Sequence, residues 1–523
     1  FSALAHVDDD ELNKRANGDL DGLSKNGGNP LPVFSSTNRA LSGSRQAQPF
    51  NANSFQNGQL TAIGPAVVAA AGPTPGFTTA LQDGSLMIVD PDVITDPTRT
   101  LNPCTGAGTP GGAWTFARLM TDMANQPLTG IHPSVFVEDW VSSWLVNQTV
   151  NGFTANARPA MAAIINDWRA RSGGYKLDLN KAPFRLLAIV NRADLRDTTT
   201  GGGGYGGGGG GTSFLNAGEG RFIFGLVDVN TRGCSPQPFS VIFEYGVPLT
   251  RCTSVRDWAK KWLDLPSHGP IGSPAYNAAL QDLTDVFATA NANPRKPNGN
   301  AINQVRTNEI ALANPWELRE FRLLDPTPSL LSTTTNVGTP HDSFNHTPVV
   351  NNIINGITPL ATTLTPNPQT TFMGATCAGG ALPLTFWDGV PSIATGQRFP
   401  FSLGTCNGCH GRETDTNFVH VDPSTPGLPA TLSNFLIGAS VNDPVNCLVS
   451  RFFDDLDRRE NDLNSLASIA CFSTVPVNRF AVVDHLLRFQ VLPEDLIGGG
   501  PFTPELKEFT PDNIFNPPIP QAH

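Results

Sequence analysis

The chain has 523 residues and a formal net charge of −11, and its 34 Lys and Arg residues nowhere cluster into a patch that could neutralise a run of phosphates, so no nucleic-acid partner is expected. Glycine (51) and proline (45) are abundant while charged residues make only 15%, which argues for a loop-rich globular protein over a helical bundle. No apolar run reaches the roughly 18 to 20 residues a membrane helix needs. The best stretch, Ile63 to Ala71, is broken by Gly64 and Pro65, so no transmembrane segment is expected.

Taken in chain order, Phe1-Ser2-Ala3-Leu4-Ala5 is compatible with the small-residue end of an export signal, and the chain is read as essentially mature. Residues 1–100, rich in Asn, Gly, Ser and Pro, read as a loop-rich arm or layer. Within them Asn17-Gly18-Asp19-Leu20-Asp21-Gly22 begins like a calcium loop but lacks the closing bidentate Glu, so a turn is expected and calcium is the alternative. Residues 101–325 read as an α+β portion. Val137, Trp140, Val141 and Trp144, then Met161, Ile164, Ile165 and Trp168, recur at helical spacing and predict core-facing helices. Three β-branched or aromatic runs, 185–190, 221–229 and 239–245, predict strands of a mostly antiparallel sheet. The glycine run 201–211 between the first two enters Thr212-Ser213-Phe214, without the Lys-Ser/Thr of a phosphate loop, and reads as a flexible insertion.

Further along, Thr253-Ser254 can cap a helix through Trp258 and Trp262, and Pro274 opens another through Leu280, Leu283 and Phe287. Asn303 to Glu309 and Trp316 to Phe321 are dense in charged and amide side chains, which tie loops to a core or line a site. Residues 326–368 are Thr-, Asn- and Pro-rich and are expected to wind over the surface, presenting His341 and His346. Helices are expected again at 447–470 and 479–489. The fold class is therefore α+β: a loop-rich N-terminal part, a central mostly antiparallel sheet with packed helices, and a C-terminal portion, 326–523.

Eight cysteines are present, and setting aside Cys406 and Cys409 leaves six, an even number that suits an oxidising compartment. Sequence neighbours predict the bonds Cys234–Cys252, across a strand, and Cys447–Cys471, across a helix; Cys104–Cys377 then follows by elimination. An extracytoplasmic location is the expectation.

The segment Thr405-Cys406-Asn407-Gly408-Cys409-His410-Gly411-Arg412 carries Cys-x-x-Cys-His. Two thiols three residues apart on one turn can both form thioethers to haem vinyl groups, and the following histidine can reach the iron. This segment resembles the haem-attachment helix of c-type cytochromes. The resemblance covers about ten residues; it implies one covalent haem c, thioether roles for Cys406 and Cys409, and His410 as the proximal iron ligand. Arg412 is either the partner of a haem propionate or a plain surface charge, and Glu413 and Asp415 are either acids behind the site or solvated turn residues. A zinc site would need a second pair of ligands, and a thioredoxin-like dithiol a different setting.

The chain departs from small monohaem cytochromes in one respect: its five methionines (87, 120, 123, 161 and 373) all precede the motif, so no downstream Met sulfur is available. His420, in the alternating Asn417-Phe418-Val419-His420-Val421, is the leading candidate for the distal metal ligand, with Met373, His341 or His346, or an open position as alternatives. The expected function is extracytoplasmic electron transfer with a redox partner protein or subunit. The alternatives are a haem peroxidase or oxygenase with an open distal face, and a structural or surface-assembly protein carrying a covalent haem.

Overall fold

The computed structural model describes residues 86–196, 214–231, 234–312, 316–323, 330–335, 339–358, 364–366, 387, 397–411, 413–416, 418–423, 427–445 and 449–471, with a separate antiparallel pair of two-residue strands, Phe55–Gln56 and Gln59–Leu60. Arg412, Met373, Cys377, Cys447, the 17–22 segment, the glycine run and the 479–489 helix lie outside the described residues.

The fold is α+β, built on a seven-stranded sheet in which every pairing is antiparallel. Its strands are β1 (Met87–Ile88), β2 (Phe184–Arg192), β3 (Glu219–Asp228), β4 (Ser235–Gly246), β5 (Ile302–Glu309), β6 (Leu318–Leu323) and β7 (Leu331–Thr334). They lie side by side in chain order, an uninterrupted meander. The three strands expected from β-branched and aromatic runs are β2, β3 and β4. The two charge- and amide-rich segments are β5 and β6, and part of the segment expected to wind over the surface supplies β7.

Cross-strand partners share a face of a sheet. On one face Ile189, Phe222, Phe243, Val305 and Phe321 stand in register across five strands. Helices cover this row: α1 (Phe116–Ala124), α2 (Pro133–Ser142), α3 (Ala160–Arg171), and α5 (Pro274–Ala288), which follows α4 (Cys252–Leu263). Phe116 stacks on Phe184 at 4.6 Å and meets Phe224 edge-on at 5.8 Å, Trp140 meets Phe321 at 6.0 Å, and Phe287 lies 6.0 Å from Phe222. Gly220 makes the last contact feasible, since a Cβ there would stand 2.1 Å from the Phe287 ring. The helix-spaced tryptophans are therefore core residues: Trp140, Trp144 and Trp168 are all buried. At the start of α4 the expected cap is shifted, because Arg251 holds the N-cap position without a side-chain bond and Thr253 and Ser254 already lie in the first turn.

At the end of this helical face sits a buried ionic group. Arg158 pairs with Glu317 at 2.7 Å, Arg319 pairs with Glu317 at 2.9 Å, and Glu309 accepts from Trp144 Nε1 and Thr307 Oγ1, each at 2.7 Å. Burial pushes the Glu309 carboxyl up to about 7; Glu317 adds to the shift, and Arg319 and Arg158 oppose it. The folded state thus holds a proton that the unfolded chain releases near the ordinary value of 4.5. Stability is expected to fall as pH rises through that window, by on the order of 2–3 kcal/mol. Chemical denaturation between pH 5 and 8 checks this, and Glu309→Gln should flatten the slope; an unchanged slope would place the titration elsewhere.

Among the described residues two disulfides are formed, Cys104–Cys234 and Cys252–Cys471. Three expected pairings are thereby corrected: Cys234 is not bonded to Cys252, Cys471 is not bonded to Cys447, and Cys104 is not bonded to Cys377. Sequence proximity misleads here because Cys234 and Cys252 flank a twelve-residue strand, Ser235–Gly246, whose extended backbone carries its ends apart. Among the described residues no helix is long and apolar enough to cross a membrane.

Candidate functional site

The other face of the sheet is charged. Arg192 pairs in register with Glu219, Arg221 with Glu244, and Arg306 with Glu320. Their side chains interlock: Arg221 lies 2.6 Å from Glu219 and 3.2 Å from Glu244, and Arg306 lies 2.7 Å from Glu244 and 2.8 Å from Glu320. All are buried, so alternation of sign is what makes the row tolerable, each interior carboxylate lying between guanidiniums. Segments from the C-terminal portion cover this row and bring the Cys-x-x-Cys-His motif onto it.

The motif is built on α6 (Arg398–Leu403) and the single turn α7 (Cys406–Cys409). Thr405 caps α7, its hydroxyl accepting from Gly408 N at 3.1 Å and donating to Ser402 O at 2.6 Å. Position 408 must be glycine in this arrangement, because a Cβ would stand 1.9 Å from the Ser402 carbonyl oxygen. Cys406 and Cys409, three residues apart, share one side of the turn. Cys406 packs with Trp316, Leu318 and Phe418, while Cys409 joins the main core. Arg398 holds Glu413 through paired contacts and Asp443 at 2.7 Å, so Glu413 is a buried structural anchor for the motif; Asp415 is exposed.

His410 is buried, and its Nδ1 donates to the Phe418 carbonyl at 2.7 Å. A carbonyl can only accept, so the proton sits on Nδ1 and the lone pair of the neutral ring on Nε2, the tautomer a metal-binding histidine needs. The same carbonyl accepts from Asn308 Nδ2 of β5 at 2.7 Å, and Asn308 Oδ1 accepts from Trp316 Nε1. The sheet thus sets the orientation of His410 through Phe418. His420 precedes a short strand, Val421–Asp422, that pairs with Thr431–Leu432, and its Nδ1 contacts Ser433 Oγ at 2.8 Å. The rings of His410 and His420 lie 4.5 Å apart, and His420 Nε2 is 3.4 Å from Cys409 Sγ.

Burial pushes His410 down to about 4, helped by Arg306, and pushes His420 well below the ordinary imidazole value, helped by His410, Arg459 and Arg192. Both rings are neutral near pH 7. Burial raises both thiols, Cys406 to about 11 and Cys409 well above its ordinary value, so they are protonated and poor as free thiolates.

No protein-family model matches the chain, and no curated protein or solved structure matches it either.

Four of the residues singled out from the sequence, Cys406, Cys409, His410 and His420, are brought into one buried neighbourhood. His341 is engaged elsewhere, stacked on Phe153 at 4.2 Å and bonded to Ser343, and His346 is exposed. Sequence reasoning named Asn303 to Glu309 as a segment that could line a site without singling out Arg306 or Asn308, and it missed Arg192 and Arg459. Period-two alternation of Gln304, Arg306 and Asn308 was the available signal for three polar residues on one buried face. The donor set suits haem c: two thiols on one turn, an adjacent imidazole with its Nδ1 proton fixed, and a second neutral imidazole close by. Among the described residues no three His, Cys, Asp or Glu side chains converge as a metal-ion cage would require.

Proposed function

We propose that the chain is an extracytoplasmic monohaem c-type cytochrome that passes single electrons to a redox partner, with Cys406 and Cys409 as thioether anchors and His410 as proximal ligand. The observation that carries this reading is the bond from His410 Nδ1 to the Phe418 carbonyl, which presents Nε2 as the coordinating nitrogen next to two thiols on one turn. The haem supplies the one-electron couple; the chain's own residues anchor it, orient the proximal imidazole and exclude water. The two disulfides suit an extracytoplasmic location.

His420 is proposed as the distal ligand, which favours electron transfer over peroxide or oxygen chemistry at an open iron. His420 would hold the metal through Nε2, with its ring orientation set by the Nδ1 contact to Ser433 Oγ.

The test is the optical spectrum of protein matured where haem is attached. The wild type should be low-spin and inert to carbon monoxide, and His420→Ala should turn high-spin and bind carbon monoxide stoichiometrically. A wild type that is already high-spin, with a spectrum His420→Ala leaves unchanged, would remove His420 from the iron and favour the peroxidase or oxygenase reading.

A further inference from the structure

On the Cys409 side of the site lies a buried corner that carries, among the described residues, more positive than negative charge. Arg192, the last residue of β2, holds Asp194 through Nε at 2.9 Å and Nη2 at 3.0 Å. Two arginines of α9 (Asp455–Ala467) complete the cluster. Arg458 lies 2.9 Å from Asp194 and 2.8 Å from Asp455, and Arg459 Nη2 lies 2.5 Å from Asp455 Oδ2. Among the described residues, three guanidiniums thus share two carboxylates. The nearby Arg196 does not alter this balance, since it has its own carboxylate in Asp462, and the row from Glu219 to Arg322 is balanced within itself.

Arg459 is where the excess resides. Its side chain is 2% exposed, and its Nε and Nη1 find no hydrogen-bond acceptor among the described residues. A buried guanidinium with two unmade donor positions beside a second guanidinium is unfavourable unless an anion completes it. The corner adjoins the site: α9 packs on α8 (Asn434–Ile437), the helix that follows Ser433, and Phe435 of α8 lies 5.3 Å from the His420 ring. The charges of Arg192 and Arg459 act on both Cys409 and His420.

We propose that Arg459, backed by Arg192, receives a carboxylate of the bound group, a propionate of the haem anchored at Cys409. This rests on the haem reading. It moves the propionate-binding role assigned by sequence to Arg412 onto a residue about fifty positions further along, on a different element. A guanidinium has the planar donor fork that a carboxylate matches, so two of its donors would be satisfied at once.

The test compares reduced-minus-oxidised infrared difference spectra of the haem-loaded wild type and Arg459→Met, using haem with heavy-carbon propionate carboxyls. In the wild type all label-sensitive bands should be those of ionised carboxylate. In Arg459→Met a label-sensitive band of protonated acid should appear between about pH 5 and 8, because a buried carboxylate that loses its counter-charge takes up a proton. The label separates the propionate from Asp455, which also loses a partner. Should Arg459→Met not accumulate, Arg459→Lys keeps the charge but not the fork, and the labelled carboxylate stretch should shift. Labelled bands identical in wild type and variant, with haem covalently bound in both, overturn the proposal and leave the haem reading intact. A wild type without covalent haem overturns both.

Discussion

Replacing both Cys406 and Cys409 by Ala is expected to abolish covalent haem altogether, while either single replacement leaves at most one thioether. The contrast is all-or-none, and it should be separable from folding. Deleting a buried Sγ from a core removes about one methylene-sized group and costs about 1 kcal/mol per site. Neither cysteine is in a disulfide, so both cross-links remain in the double variant. Haem staining after denaturing electrophoresis, with circular dichroism on the same samples, measures both quantities. Colour in the wild type that acid-acetone extracts would defeat the cytochrome reading whatever the variants do.

Opening the Cys252–Cys471 bond by Cys471→Ser is expected to be the most destabilising single change. The bond closes a loop of 219 residues, for which chain entropy alone predicts a loss of about 5 kcal/mol, less where the reduced chain keeps residual structure. It fastens the end of the segment carrying α9 to α4, and these two helices pack on each other. Because α9 also carries Arg458 and Arg459, the variant should loosen the corner beside Cys409 as well as lower the denaturation midpoint. Cys104→Ser opens a loop of 130 residues on the opposite side of the chain order and serves as the comparison. Non-reducing peptide maps should show Cys104 linked to Cys234 and Cys252 to Cys471. A loss of stability of less than about 1 kcal/mol on Cys471→Ser would mean that packing between α4 and α9 suffices without the cross-link.

Two kinds of information were legible in the sequence, and both are local. Continuous β-branched and aromatic runs predicted β2, β3 and β4, because a strand buried on both faces cannot avoid such residues. Helical spacing of Trp140, Ile165 and Trp168 predicted core-facing helices, because each such residue returns to the same side every turn. The spacing of Cys406, Cys409 and His410 is likewise a property of one turn of backbone, so the motif could be read without knowing what surrounds it.

The tertiary structure alone decided which distant residues meet. Period-two alternation of Gln304, Arg306 and Asn308 fits a strand but does not name its partners; the segment becomes β5 because its arginine and asparagine find Glu244, Glu320 and the Phe418 carbonyl on neighbouring elements. The disulfide partners could not be deduced from spacing, since bonding depends on the distance between Cα atoms in space, 5.7 Å for Cys104 and Cys234 across 130 residues of chain. The same holds for Arg459, a residue like any other on an amphipathic helix until the fold buries it beside Arg192 with a positive charge to spare. Periodicity and motif spacing are set by the geometry of a few consecutive peptide units, and burial, pairing and charge balance are set by chain segments hundreds of residues apart.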